Sequence, residues 1–95
     1  MGYSIKIRKR ALIEIEQSAE WFKQKKLGLE IEFLRDLDAT ITLVQKNPEN
    51  FQVRYKDVRV KFLKKFEFGI HYILDNSTIH ILSVFHTSRS PEDWE

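Results

Sequence analysis

Cysteine is absent from this chain of 95 residues, and so are long apolar runs. Without cysteine the chain can form neither a disulfide framework nor a thiolate metal site. No run approaches the roughly 18 apolar residues that a membrane-spanning helix needs. The opening residues, MGYSIKIRKR, lack the apolar segment of a signal peptide. These absences predict a cytoplasmic protein in a reducing environment, without contact with a membrane.

Motifs for cofactors and covalent catalysis are also missing. The sequence contains no P-loop, no nucleotide-binding glycine motif and no Ser-His-Asp pattern. Three histidines, His71, His80 and His86, are the remaining candidate metal ligands. His80 and His86 would lie about 20 Å apart along an extended strand, and no carboxylate cluster completes a site with His71. We therefore expect neither a metal ion nor a cofactor.

Charge is nearly balanced overall but unevenly distributed. The net charge of +2 is too small to indicate a nucleic-acid partner by itself. Residues 14–38 carry seven acids and four bases. Residues 54–65 carry a single acid, Asp57, and six bases: Arg54, Lys56, Arg59, Lys61, Lys64 and Lys65. This polarity favours association with charged partners.

Hydrophobic periodicity predicts one strand, two helices and three further strands. Residues 3–8 alternate between apolar and polar side chains, as in a half-buried strand. A helix begins near residue 9 and stops at Gly28, and its apolar stripe is Leu12, Ile15, Ala19 and Phe22. A second helix ends at Asn47-Pro48, and its seam is Phe33, Leu34, Leu37, Ile41 and Val44. Strand-like runs follow at 58–62, 68–75 and 78–86, with a tight turn at Asp75-Asn76-Ser77.

The predicted order is therefore β-α-α-β-β-β, in the α+β class. Only a few residues separate the helices, so we expect an antiparallel helical hairpin. An antiparallel sheet packed on one face by this hairpin would bury each apolar stripe. The other face would be left, at least in part, for solvent or a partner. With 42% hydrophobic residues, the chain can fill one core, and we expect residues 1–95 to form a single domain.

The basic segment is the first candidate site. Arg59 and Lys61 project from the same face of the predicted 58–62 strand, with the other four bases on either side. Such a surface suits phosphate groups or an acidic partner. The alternative is structural, because lysine and arginine on an edge strand protect it against aggregation.

The second candidate site is His86-Thr87-Ser88-Arg89, where the last predicted strand ends. A histidine acting as acid or base beside an arginine that stabilises a pentacoordinate phosphate would suit metal-free RNA cleavage. In the structural alternative, His86 and Arg89 tie the C-terminal tail to the sheet. Trp94 is expected to pack as an aromatic lid on the core.

The C-terminal half resembles bacterial toxins of the ParE/RelE superfamily. The segments that carry the resemblance are Phe66–Leu74, Ile79–His86 and Arg89–Trp94, which read FEFGIHYIL, IHILSVFH and RSPEDW. The first strand, the helical hairpin and its end at Asn47-Pro48 also agree, so the resemblance covers nearly the whole chain. Each segment alone has low specificity, whereas their order and spacing together are specific.

The resemblance implies a toxin that a cognate antitoxin neutralises through a flexible segment that folds on binding. RelE-like members cleave mRNA on the ribosome, and ParE-like members inhibit DNA gyrase. RelE-like active sites use basic residues on the middle strands, a late-strand arginine and often a tyrosine in the tail. Those positions fall here at Gly69, near Thr87 and at Asp93-Trp94. The incomplete set argues against efficient cleavage, and the ending H-x-x-R-x-P-x-x-W is nearer to ParE.

Three functions follow as alternatives: a gyrase-inhibiting toxin, a ribosome-dependent endoribonuclease and an inactive homologue that only binds. The nuclease would use Arg59, Lys61, His86 and Arg89. Binding of the target or partner would use Arg54, Lys56, Arg59, Lys61, Lys64, Lys65, Arg89 and Trp94. The antitoxin is expected to cover the exposed sheet face and the groove beside the hairpin, near Leu29 and Ile31.

Overall fold

Two helices and five strands make up residues 2–87, the part of the chain that the computed structural model describes. The elements are β1 (Ser4–Ile7), α1 (Lys9–Lys25), α2 (Leu29–Lys46), a 3-10 turn (Pro48–Asn50), β2 (Val53–Tyr55), β3 (Val58–Phe62), β4 (Phe68–Asp75) and β5 (Thr78–His86). The predicted α+β class and the helical hairpin are confirmed. The sequence did not predict β2, because three residues interrupted by Arg54 are too short to show an alternating pattern.

The strands form one mixed sheet in the order β1-β5-β4-β3-β2. Strands β2 to β5 pair antiparallel in succession, whereas β1 pairs parallel with β5. The prediction of a purely antiparallel sheet is therefore wrong at β1. The helical hairpin connects β1 at one edge of the sheet to β2 at the other edge. Strands β2 to β5 then alternate in direction, so β5 lies beside β1 and runs parallel to it. Strand β3 is an inner strand covered by β2, so its interpretation as a protected edge strand is also wrong.

The helical hairpin is set by local backbone geometry. Gly28 separates the helices at a φ of 91°, a left-handed conformation that suits glycine. Its N–H donates to Glu30 Oε1 at 3.0 Å. Helix α2 ends directly before Asn47, and Pro48 begins the 3-10 turn. The predicted end of α2 is confirmed, whereas α1 ends at Lys25, three residues before the predicted stop, and Gly28 directly precedes α2.

The hairpin buries Ala11 and Phe22 from α1 and Phe33, Leu37 and Val44 from α2. These side chains join Phe68, Ile70, Tyr72, Ile79 and Ile81 from the sheet in one core. The predicted stripe is wrong at Leu12 and Leu34, which are 46% and 40% exposed. Ala11 takes the place next to the sheet because its small side chain lets the helix approach closely.

Strand β5 changes neighbours halfway along its length. Its pairing with β1 ends at Ile7 opposite Ile81, and the Arg8 N–H then donates to the Ile81 carbonyl at 2.9 Å. A bulge follows, because Tyr72 lies opposite Ile81 and His71 opposite Ser83, which leaves Leu82 as the extra residue. Beyond the bulge, β1 no longer pairs with β5, and α1 supplies the hydrogen-bond acceptor for this part of β5.

That acceptor is the carboxylate of Glu14. Its Oε1 accepts from the Ser83 hydroxyl at 2.6 Å and from the Val84 N–H at 2.9 Å. A second carboxylate has a similar role at the β3–β4 loop, where Asp36 accepts the N–H groups of Lys64, Lys65 and Phe66. Each helix therefore uses one acid to satisfy backbone donors of the sheet.

Within residues 2–87, neither helix combines the length and the apolar character that crossing a membrane would require.

Candidate functional site

The register of the sheet assigns each basic residue of β3 to a face. Directly opposed residues share a face, and Arg59 lies opposite Tyr72 while Lys61 lies opposite Ile70. Tyr72 and Ile70 belong to the core beneath the hairpin. Arg59 and Lys61 therefore share one face, as predicted, and it is the face on the helix side.

Arg59 is engaged by the chain itself. Its Nη1 donates to the Phe51 carbonyl at 2.8 Å and to the Glu49 carbonyl at 3.3 Å. Lys61 places its Nζ 5.2 Å from the centroid of the Phe51 ring, within cation–π distance. Both residues thus fasten the segment after α2 to β3.

The other four bases predicted as a partner surface lie in separate places. Arg54 stacks its guanidinium over the Phe62 ring at 5.6 Å. Lys64 and Lys65 occupy the β3–β4 loop beside Asp36. Lys56 lies in the β2–β3 turn with a φ of 47°. Segment 54–65 thus presents its charges in several directions.

His86 lies on the helix side at the other end of β4. It is opposite Phe68, and the two rings meet edge to face at 5.4 Å. It lines a depression of about 430 Å³ together with Trp21, Phe22 and Phe66, and neither Arg59 nor Lys61 is among the lining residues. The two remaining predicted site residues, Arg89 and Trp94, lie outside the described residues.

A cationic cleft of about 330 Å³ lies where the β1–α1 junction, the β2–β3 turn and the β5 bulge meet. Arg8, Arg10 and Lys56 bring positive charge to it. The remaining lining residues are Tyr55, Val58, Leu82 and Ser83. Tyr55 and Val58 are directly opposed, so they share a face. That face points away from the hairpin, because Val60, two residues beyond Val58, lies opposite His71 and not opposite the core residues Ile70 and Tyr72.

Local structure fixes the three cations of the cleft. Arg8 directly follows β1, and Arg10 lies in the first turn of α1, with its Nε 3.5 Å from Glu14 Oε2. Glu14 also holds the bulge that presents Leu82 and Ser83. Lys56 occupies a left-handed conformation that costs a non-glycine residue about 1 kcal/mol.

A buried histidine, His71, lies beneath the cleft. It is 1% exposed, stacks on Phe85 with ring centroids 4.3 Å apart, and shares a hydrogen bond of 3.2 Å between its Nδ1 and the Tyr55 hydroxyl. Burial, and secondarily the positive charge of Arg10, lower the pKa of His71 from 6.5 to about 4. The imidazole is therefore neutral near pH 7, and the net positive charge of the cleft comes from its rim.

Along β3, the same face is apolar beyond the cleft. Val60 and Phe62 are its next side chains on β3, and Gly69 lies opposite Phe62. A Cβ placed on Gly69 would lie 3.1 Å from Val60 Cγ1 and 3.3 Å from Phe62 Cδ1. The position that resembles a basic active-site residue of RelE-like toxins thus has little room even for a methyl group. This face is open at the cleft and at Phe62, while Val60, His71 and Phe85 are buried.

Metal-ligating residues do not gather in the described structure. Within residues 2–87, no three histidine or acidic side chains come close enough together to hold a metal ion. His71 lies opposite Ser83, His80 opposite Ile73 and His86 opposite Phe68, so the histidines occupy three different parts of the sheet.

Sequence reasoning missed Arg8 and Arg10 as members of a site. They fall at the end of a predicted strand and the start of a predicted helix, and those positions alone indicate no function. The available signal was the local basic run Lys6 to Arg10, which reads KIRKR. Its significance depends on the β2–β3 turn, more than forty residues away, which brings Lys56 to the same cleft.

Comparisons with known proteins identify the fold. A chain of the chromosomal ParDE toxin–antitoxin system from P. aeruginosa superposes with a TM-score of 0.81 at 13% identity, over 90% of this chain and 97% of that one. The isolated E. coli RelE toxin gives 0.64 at 21% identity, over 97% and 92%. An archaeal RelE–RelB complex from Pyrococcus horikoshii gives 0.57 at 15% identity, over 95% and 100%. No protein-family model and no curated protein matches the sequence.

The chain therefore has the fold of the ParE and RelE toxins, as the resemblance implied. The TM-score is higher with the ParDE chain than with either RelE structure.

Proposed function

We propose that the chain is the toxin of a type II toxin–antitoxin pair and acts by binding a protein target. The target is DNA gyrase, which the ParE side of the resemblance implies. The toxin acts in the cytoplasm as a single domain spanning residues 1–95, and a cognate antitoxin neutralises it. The fold it shares with a ParDE chain and with RelE supports the toxin class.

One observation carries the choice of binding over RNA cleavage. Cleavage without a metal requires charged groups that converge on the reacting phosphate. Arg59 and Lys61 face the helix side, and Arg59 is already bonded to the carbonyls of Glu49 and Phe51. On the opposite face, the cations gather only at the cleft, beside the neutral His71, whereas Gly69 contributes no side chain and its neighbours Val60 and Phe62 are apolar within the described residues. This arrangement favours a binding protein.

The outer surface of the hairpin suits the antitoxin. Leu12 and Ile13 of α1 and Ile31 and Leu34 of α2 are all exposed. Exposed apolar side chains of this kind mark surfaces that a partner covers. Leu29, which we expected to be part of the surface, packs partly against the core instead.

The proposed function is tested by inducible expression of the full chain without a partner. Growth should stop, and purified protein should block supercoiling by gyrase while RNA from the same cells stays intact. Normal supercoiling with excess protein, accompanied by cuts in translated mRNA, would favour the endoribonuclease. Undisturbed growth would favour the inactive homologue.

A further inference from the structure

We propose that the cationic cleft binds a short acidic segment of a protein partner, with carboxylates on its arginines and an apolar side chain on its floor. This inference rests on the proposed function, because it names the chemistry through which a toxin that acts by binding would engage a protein. It concerns Arg8 and Arg10, which lie outside both candidate sites predicted from the sequence, the basic segment 54–65 and the end of β5.

The first argument is charge. Arg10 is 55% exposed at its side chain, and the ion pair between its Nε and Glu14 Oε2 is long at 3.5 Å. The described residues place no carboxylate within ion-pair distance of Arg8. Guanidinium groups bind carboxylates through paired hydrogen bonds, so an acidic side chain in the cleft would be matched in both charge and geometry.

The second argument is the apolar floor of the cleft. Val58 and Leu82 are apolar, and the Tyr55 ring lies beside them. A cavity of about 330 Å³ with an apolar floor and a few polar groups at its rim is typical of a site that receives a side chain. A segment in which acids flank a leucine would satisfy both the rim and the floor.

The surroundings of the cleft favour a peptide over a nucleic acid. A nucleic acid carries a phosphate at every nucleotide, so its binding grooves carry cations along the whole path of the strand. Here the next cation on this face beyond the cleft is Arg54, and its guanidinium already lies over the Phe62 ring, 5.6 Å from the ring centroid. On one side lie Val60 and Phe62. On the other side, the adjoining depression that shares Arg8 is lined by Arg59, which is bonded to backbone carbonyls, and by three acids that would repel phosphates, namely Glu49, Asp57 and Asp75.

The turn that carries Lys56 gives independent support. Its φ of 47° is a conformation that glycine or asparagine adopts at lower cost than lysine. Strained residues of this kind cluster at functional sites. A lysine at this position lowers stability slightly while adding positive charge to the cleft, which is consistent with a binding role.

Nuclear magnetic resonance of the purified, ¹⁵N-labelled full chain tests the proposal. The probes are a ten-residue peptide of alternating Glu and Leu, the same peptide with Gln for Glu, and ten-nucleotide single strands of DNA and RNA. The Glu peptide should shift the amide signals of Lys56, Leu82 and Ser83. The Gln peptide should bind about tenfold more weakly, because it lacks the charges that the cleft matches.

Variants locate the interaction. Arg8→Gln and Arg10→Gln should each weaken the Glu peptide about fivefold, as expected for a partly exposed charge pair. Arg35→Gln removes an exposed arginine of α2 outside the cleft and should leave the affinity unchanged. Because Arg10 also contacts Glu14, the amide spectrum of each variant reports whether the fold is intact, and Arg8→Gln provides the test without that contact.

Several outcomes would overturn the proposal: no shift with the Glu peptide, equal binding of the Gln peptide, or an equal loss in Arg35→Gln. Tighter binding of either oligonucleotide at the same residues would assign the cleft to nucleic acid instead. The measurement uses the purified chain alone, without gyrase or cells. A failure here is therefore distinguishable from a failure of the proposed function, which would appear in the growth and supercoiling assays.

Discussion

Replacing Glu14 should destabilise the protein far more than replacing its neighbour Glu16. In Glu14→Ala, the Val84 N–H and the Ser83 hydroxyl lose their acceptor at a place where both residues are buried. A buried donor left without a partner costs about 1 to 3 kcal/mol. The exposed contact with Arg10 adds little. We therefore expect the free energy of unfolding to fall by about 2 to 3 kcal/mol. A change of this size lowers Tm by roughly 10 °C or more.

The conservative variant separates geometry from charge. In Glu14→Gln, the amide oxygen can still accept both bonds, so we expect a loss of only about 1 kcal/mol from the missing charge. Glu16→Ala removes an exposed acid two positions away on α1 and serves as the matched control. Urea unfolding followed by circular dichroism gives the stabilities, and hydrogen exchange of the Val84 amide reports on the edge directly.

The reasoning would be refuted by either of two results. One is a Glu14→Ala variant whose stability lies within about 0.5 kcal/mol of Glu16→Ala, the range of ordinary surface substitutions. The other is an unchanged exchange rate of the Val84 amide in Glu14→Ala. In that case the Val84 amide would be protected from hydrogen exchange without the Glu14 carboxylate.

Three further predictions concern the loop, the buried histidine and the glycine. Asp36→Ala should lower the free energy of unfolding by about 2 kcal/mol relative to Asp38→Ala, because three backbone N–H groups lose their acceptor; equal urea midpoints would contradict this. As pH falls from 6.5 to about 4, His71 is protonated in the unfolded chain before it is protonated in the folded chain. The contribution of His71 to the free energy of unfolding is therefore lost over that pH range. The loss reaches about 3 kcal/mol, and His71→Gln should show a flatter pH profile than the wild type. Gly69→Ala should cost about 1 kcal/mol, because the new methyl group presses on Val60; a variant with unchanged thermal stability would show that Val60 moves aside.

The parts of the fold that local chemistry determines could be predicted from the sequence. Gly28 adopts a left-handed conformation in the turn between the helices, and Asn76, with a φ of 55°, forms the tight turn before β5. Asn47-Pro48 ends α2 for the same local reasons. Each of these positions depends on one residue and its immediate neighbours, so no knowledge of distant contacts was needed.

The parts that depend on distant contacts could not be predicted. The parallel pairing of β1 with β5 joins opposite ends of the described chain, and no local pattern encodes its direction. The face on which Arg59 and Lys61 lie follows from their register with Tyr72 and Ile70. The cationic cleft combines Arg8, Lys56 and Leu82 from three separate segments, so it exists only in the folded chain.

The pairing of β1 with β5 also affects when the protein can fold. Ser4 lies opposite Thr78, so β1 has no partner strand until the chain has emerged well beyond residue 78. Contacts of such long sequence separation slow folding, and synthesis itself proceeds at roughly 5 to 20 residues per second. The cleft depends on the same event, because Arg8 directly follows β1 and Leu82 belongs to β5. A nascent chain therefore acquires this surface only after β5 has been synthesised.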